Sequence, residues 1–348
     1  MNTVWFLLVA FMLVAYVVLD GFDLGTGALY PFITRTEEHR RIVFRAIGPV
    51  WDGNEVWLIA AGGTLFFAFP LLYASSFSGF YLPLNMVLWL LIFRAIGIEF
   101  RSHVQAPIWR EFYGVMFFLA SALLIIFFGA ALGNVIRGVA LNRDHYFFAP
   151  LWTDFRVGAS PGILDWYTVL CALVSLAVLC MHGALFLAIK TDGELQARIR
   201  AIRAPLSIAV ALLSTLALAA TIYIRPELLN NYRSYPIAWL IPMAVLGTLC
   251  AIVYFSRSQR DSAAFFASSA YIVLMLSGAA FAVYPTLLSD TGRTNALTIY
   301  NAAAGPESLS MGLFWWIPGM LIAIAYFVMV YRLFSGKVTQ PAEGHGGY

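Results

Sequence analysis

The sequence predicts an all-α integral membrane protein with about nine transmembrane helices and no soluble domain able to fold alone. Composition is the first reason. Of 348 residues, 61% are hydrophobic and only 11% charged, and the mean hydropathy is +0.81. Soluble domains carry about 25% charged residues, so these charges cannot coat a water-soluble particle of 38.5 kDa. The second reason is that long apolar stretches recur along the whole chain. A hydrocarbon core about 30 Å thick takes roughly 20 residues at about 1.5 Å rise each.

The stretches come in order. The first, 3–24, has no Lys or Arg before it and no small-residue cleavage site after it, so a retained span is expected rather than a signal peptide. The next two, 50–73 and 77–98, are separated only by the residues around 75–78, and a count of eight therefore competes with nine. Six more follow at 114–134, 163–189, 205–224, 236–256, 264–285 and 312–334. With no internal repeat or low-complexity segment, the chain reads as one polytopic domain over 1–348. A first group of spans runs to about 135 and a second over 163–334, with a polar tail at 335–348. Trp239, Trp315 and Trp316 sit near span ends as interfacial anchors.

Orientation follows from the cations. With nine spans, fifteen Lys and Arg fall on one side and six on the other. That places the N-terminus outside and the C-terminus in the cytoplasm. The net charge of +3 comes from loop residues without a basic, aromatic-interleaved patch, which speaks against a nucleic-acid partner. Cys171, Cys180 and Cys250 lie in apolar runs without a CxxC pair and read as packing residues.

Carboxylates inside spans are where chemistry is expected, because each charge at a helix centre costs about 2.5–3.5 kcal/mol. Asp20 and Asp23, three residues apart in LDGFDLGTGALYPF, share one helix face beside Gly21, Gly25 and Gly27, which admit another backbone. Asp52 and Glu55 in GPVWDGNEVWL repeat the spacing, with Asn54 between them as a hydrogen-bonding partner. Both pairs fall near the cytoplasmic ends of the first two spans, and Arg94 in the third is placed to supply a counter-charge. One reading makes the four acids headgroup-level charges paired with Arg41, Arg45 and Arg94. The other makes them a proton path, with Asp52 the leading member. His182 is the one histidine deep in a span; a satisfied core side chain is expected there in preference to an axial haem ligand. No HxxE, HExxH or CxxCH spacing builds a metal site.

Four motifs in order, DGFDLG at 20–25, GPVWDGNEVWL at 48–58, SGFYLPL at 78–84 and FRAIGIEFRS at 93–102, closely resemble the second subunit of cytochrome bd-type quinol oxidases. NALTIYNAAAGPESLSMGL at 295–313 resembles the family's loop before its last span, with Ala296, Leu297 and Thr298 where the family commonly has Ser-Leu-Thr. Between about 104 and 290 the match is one of hydropathy pattern.

The resemblance implies two four-helix bundles plus one peripheral helix, in a bacterial or archaeal cell membrane. It implies a complex that passes electrons from quinol to O₂ and generates a proton-motive force. Haem b, haem d and the quinol-oxidising loop then belong to a partner, subunit I. Small single-span accessory subunits and a structural quinone or lipid fit the same picture, with Trp51 and Trp57 as the expected quinone or lipid contacts. It also implies a role in proton delivery for Asp52, the Asp of the family's WDGN motif. Two readings compete with it. One is an ion-coupled secondary transporter using the four acids, against which stands their clustering in the first third of the chain rather than in two repeated halves. The other is a membrane cytochrome ligating haem through His182.

Overall fold

The computed structural model of the chain describes residues 1–338. Its helices start and stop where the local sequence dictates. α1 (Asn2–Ile33) tolerates Pro31 only in its last turn. α2 (Glu37–Ile47) is a short amphipathic helix that the hydropathy reading leaves inside a loop. Thr36 caps it by accepting a hydrogen bond from the His39 N–H at 3.1 Å. The expected span 50–73 is not one helix. α3 (Trp51–Ala68) ends at Phe69 because Pro70 carries no N–H and drives the residue before it out of the helical region; Phe69 has φ −134° and ψ 65°. α4 (Pro70–Gly79) follows, then α5 (Tyr81–His103) and α6 (Pro107–Arg137).

α7 (Trp166–Lys190) opens with a capping box, in which Asp165 accepts from the Tyr167 and Thr168 N–H groups and Thr168 accepts from the Asp165 N–H. α8 (Gly193–Ile224) leads through short turns and α9 (Asn230–Ser234) to α10 (Leu240–Arg257) and α11 (Asp261–Val283). A two-strand pair, β1 (Thr286–Leu288) with β2 (Leu297–Thr298), precedes α12 (Pro306–Leu333).

Among the described residues, eight helices are long and apolar enough to cross a membrane, and α3 falls outside that set because Asp52, Asn54 and Glu55 occupy its first turns. Its packing nevertheless spans the same depth as α1. Asn54 meets Asp23 at one end, Trp57 meets Phe11 and Thr64 meets Met12 midway, and Phe67 meets Trp5 at the other. From Trp5 to Asp23 is about 27 Å of helix, close to a hydrocarbon thickness.

α1, α3, α5 and α6 pack as one group and α7, α8, α10 and α11 as a second, joined where α1 and α6 meet α7. The seam between α1 and α7 is tight. A Cβ on Gly25 would overlap the Leu179 carbonyl, and one on Gly183 would lie 2.5 Å from the Thr26 nitrogen. α12 is peripheral, with only Leu309 buried.

The segments 138–165 and 284–305 fold over the end of the bundle opposite the Arg-rich one as a cap. Val139 bridges to Asp290 and Trp152 to Leu164. Asp290 is the hub. Burial alone would raise its pKa, but the backbone N–H groups of Asn295, Thr294, Gly292 and Leu141 hold it below the usual carboxylate range. Beneath the cap, Arg137 forms a buried ion pair with Asp165, and its guanidinium also donates to Asn134 Oδ1 at 2.6 Å.

Candidate functional site

α1, α3, α5 and α12 converge on a polar knot near the Arg-rich end of the bundle. Its anchor is a fully buried ion pair between α1 and α5. Arg94 Nη1 donates to Asp20 Oδ2 at 2.7 Å and Nη2 donates to Oδ1, so the guanidinium grips the carboxylate with both arms. Arg94 therefore is the counter-charge that its position suggests. The expected headgroup-level partners are not: Arg41 reaches Glu37 at 3.8 Å, and Arg45 lines a separate cavity. Those two start from α2 and never reach the acids of α1 and α3.

Asp23 is also fully buried but turns towards α3. Asn54 Nδ2 donates to Asp23 Oδ2 at 2.7 Å and to the Leu19 carbonyl at 3.1 Å, while its Oδ1 accepts from the Tyr331 hydroxyl at 2.7 Å. One amide thus ties α1, α3 and α12 together. Asp23 Oδ1 and Arg94 Nε are buried with no hydrogen-bond partner among the described residues. Such groups are costly inside a protein, and a carboxylate oxygen left open there is where a proton can be received.

Asn54 spends its hydrogen bonds on Leu19, Asp23 and Tyr331 rather than on Asp52 or Glu55. Asn54 points inward, Asp52 is exposed at the first turn of α3, and Glu55 is half-buried between them in depth. Asp52, Glu55 and Asp23 therefore form a graded series from surface to interior. Asn54 and Tyr331 complete it. The motif around Asp52 contains Asn54 but does not say which way it faces, and Tyr331 carries no sequence signal because it closes an ordinary apolar span.

Trp57 is buried between Phe11 and Phe327, so its ring is committed to packing within the chain, while Trp51 is half-buried. His182 is enclosed. Nε2 contacts the Val18 carbonyl at 3.0 Å, Nδ1 lies 2.7 Å from Ser268 Oγ, and the ring stacks on Phe265. With both nitrogens engaged, this histidine does not fit as a haem ligand.

The family model described as cytochrome bd terminal oxidase subunit II matches residues 1–334. The chain belongs to this family. Cytochrome bd-I ubiquinol oxidase subunit 2 of Escherichia coli (strain K12) is 31% identical over 368 residues, covering 97% of this chain and 95% of that protein. Cytochrome bd ubiquinol oxidase subunit 2 of Bacillus subtilis (strain 168) is 30% identical over 315 residues, covering 89% of each. The fold matches a chain of the bd oxidase from Geobacillus thermodenitrificans with a TM-score of 0.76 at 19% identity, covering 96% of this chain and 98% of that one. As a cytochrome bd terminal oxidase subunit II, the chain is the multi-span partner of a subunit I within an oxidoreductase complex that contains haem. The transporter reading falls with that membership.

Proposed function

We propose that this chain serves a quinol:O₂ oxidase in two ways: it steadies the haem-bearing subunit I, and it conducts protons towards it from the cytoplasmic face. Both relatives named above are ubiquinol oxidase subunits by name, which supports a quinol as the electron donor. Haem b and haem d, held by subunit I, would supply the electron transfer and O₂ chemistry. Accessory single-span subunits and a structural quinone or lipid belong to the same reading, as does an N-terminus outside.

The observation that carries the proton role is the graded series of acids. Asp52 is exposed and takes a proton from water. Glu55, one turn further along α3, receives it at a half-buried carboxylate. Asp23 Oδ1 is the interior acceptor, since Asn54 occupies only Oδ2. Asp20 plays a different part: with both oxygens gripped by Arg94 it is a fixed counter-ion, and protonating it would break a buried pair. Arg94 keeps a buried positive charge beside the path.

Asp52→Asn keeps shape and most hydrogen bonding while removing the titrating proton. In the purified complex, haem content and assembly are expected to stay normal. Quinol oxidation is expected to slow at least about tenfold, equivalent to about 1.4 kcal/mol on the barrier, and Asp52→Glu should recover part of the rate. Wild-type turnover of the Asn variant would make Asp52 structural.

A further inference from the structure

A cavity of about 390 Å³ opens at the Arg-rich end of the bundle, where the end of α2, the start of α3 and the ends of α7 and α12 meet. Its walls combine two chemistries. Arg45, Lys190 and Lys337 bring three cations to it, and no carboxylate among the described residues lines it. Val50, Phe186 and Leu333 supply an apolar side, and Leu333 is left 72% exposed where that side meets the surface. The site is built rather than a loose gap. The segment after α12 folds back onto the end of α7, where the Val338 N–H donates to the Lys190 carbonyl at 2.9 Å and Lys190 Nζ donates to the Phe334 carbonyl at 2.6 Å. Lys190 is further held over the Phe186 ring at 5.8 Å. Tyr331, whose hydroxyl is spent on Asn54, forms part of the inner wall.

Three cations without an acid select an anion, and the neighbouring apolar surface selects one that carries hydrocarbon. A basic pocket between transmembrane helices at the headgroup level is suited to the phosphate of an acidic lipid. The volume falls in the range of about 300–1,000 Å³ that holds a small ligand. We propose that this cavity binds the headgroup of an anionic phospholipid, its phosphate among Arg45, Lys190 and Lys337 and its acyl chains running out over Leu333. The proposal is independent of the proton route, since none of the four acids lines the cavity.

The test uses the assembled oxidase in mixed micelles containing phosphatidylglycerol or phosphatidylcholine, with lipid retained by the complex read by native mass spectrometry. Phosphatidylglycerol should be retained in preference to phosphatidylcholine. Arg45→Gln combined with Lys337→Gln should weaken that retention about tenfold, with an unchanged thermal melt of the complex showing that the fold is intact. The single exposed change Lys337→Glu should weaken it in the same direction. Equal retention of the two lipids, or of phosphatidylglycerol by wild type and variants, would overturn the proposal. Displacement of the lipid by millimolar inorganic phosphate would instead make a free anion the ligand. Binding seen only after deletion of residues 339–348 would make the chain's own tail the occupant.

Discussion

At the scale of single residues, the contrast between Asp20 and Asp23 governs what each can do. Both are fully buried and three residues apart on α1. On a helix that spacing separates them by only about 60°, yet this turns one to Arg94 and the other to Asn54. The sequence marks both acids and Arg94 as costly intramembrane charges, and so makes the existence of a pair legible. Which acid takes the arginine depends on how α1 is rotated against α5, and that is set by packing. Because both partners of the Arg94–Asp20 pair are fully buried, removing one leaves an uncompensated charge, typically at a cost of about 3–5 kcal/mol. Arg94→Leu should therefore sharply lower the thermal stability of the oxidase. The double change Asp20→Leu with Arg94→Leu removes both charges and should recover much of the loss. If the double variant melts no higher than the single one, Asp20 has some role beyond balancing Arg94.

At the scale of helices, most of the spans are legible because hydropathy responds to length and polarity. The stretch 50–73 reads as one helix in hydropathy but folds as parts of two. The apolar run continues through Phe69 and Pro70, while the backbone consequence of Pro70 is local and leaves hydropathy unchanged. α2 escapes hydropathy for the opposite reason, since its charged face hides an apolar one that buries Val43, Phe44 and Ile47. Glycines show the limit of sequence reading in another way. Gly25 and Gly183 lie at the α1–α7 crossing, where an added Cβ collides with opposing backbone, whereas Gly62 and Gly63 on α3 have nothing within 4 Å in this chain. The DGFDLG motif marks Gly25 as a place for a close backbone, whereas nothing in the sequence marks its partner Gly183. Backbone atoms cannot yield as side-chain tips do, so Gly25→Ala and Gly183→Ala should push α1 and α7 apart and cost at least about 1–3 kcal/mol. The yield of assembled, haem-loaded oxidase checks this. Gly183→Ala assembling as wild type would mean that the seam is looser than the geometry indicates.

At the scale of the whole molecule, everything proposed for Asp52 depends on which way the chain crosses the membrane. Two physical features bear on this separately. Lys and Arg divide fifteen to six between the two faces, and cations near span ends favour the cytoplasmic side. The parity of the crossings depends on α3, the segment whose polar first turns keep it below the usual threshold. Its far end lies against the cap: the Ala304 N–H donates to the Ala68 carbonyl at 2.9 Å, and a Cβ on Gly79 would strike the Phe147 ring. α3 thus carries the chain from the Arg-rich face to the cap, and α5 carries it back. A fusion after Ser76 should therefore report outside, with an active periplasmic phosphatase and no cytoplasmic fluorescence, and a fusion after Lys337 should report inside. A cytoplasmic signal after Ser76 alone would mean that α3 dips into the membrane and returns. Reversal at both sites would put Asp52 on the outer face, where protons taken up for O₂ reduction would no longer come from the cytoplasm.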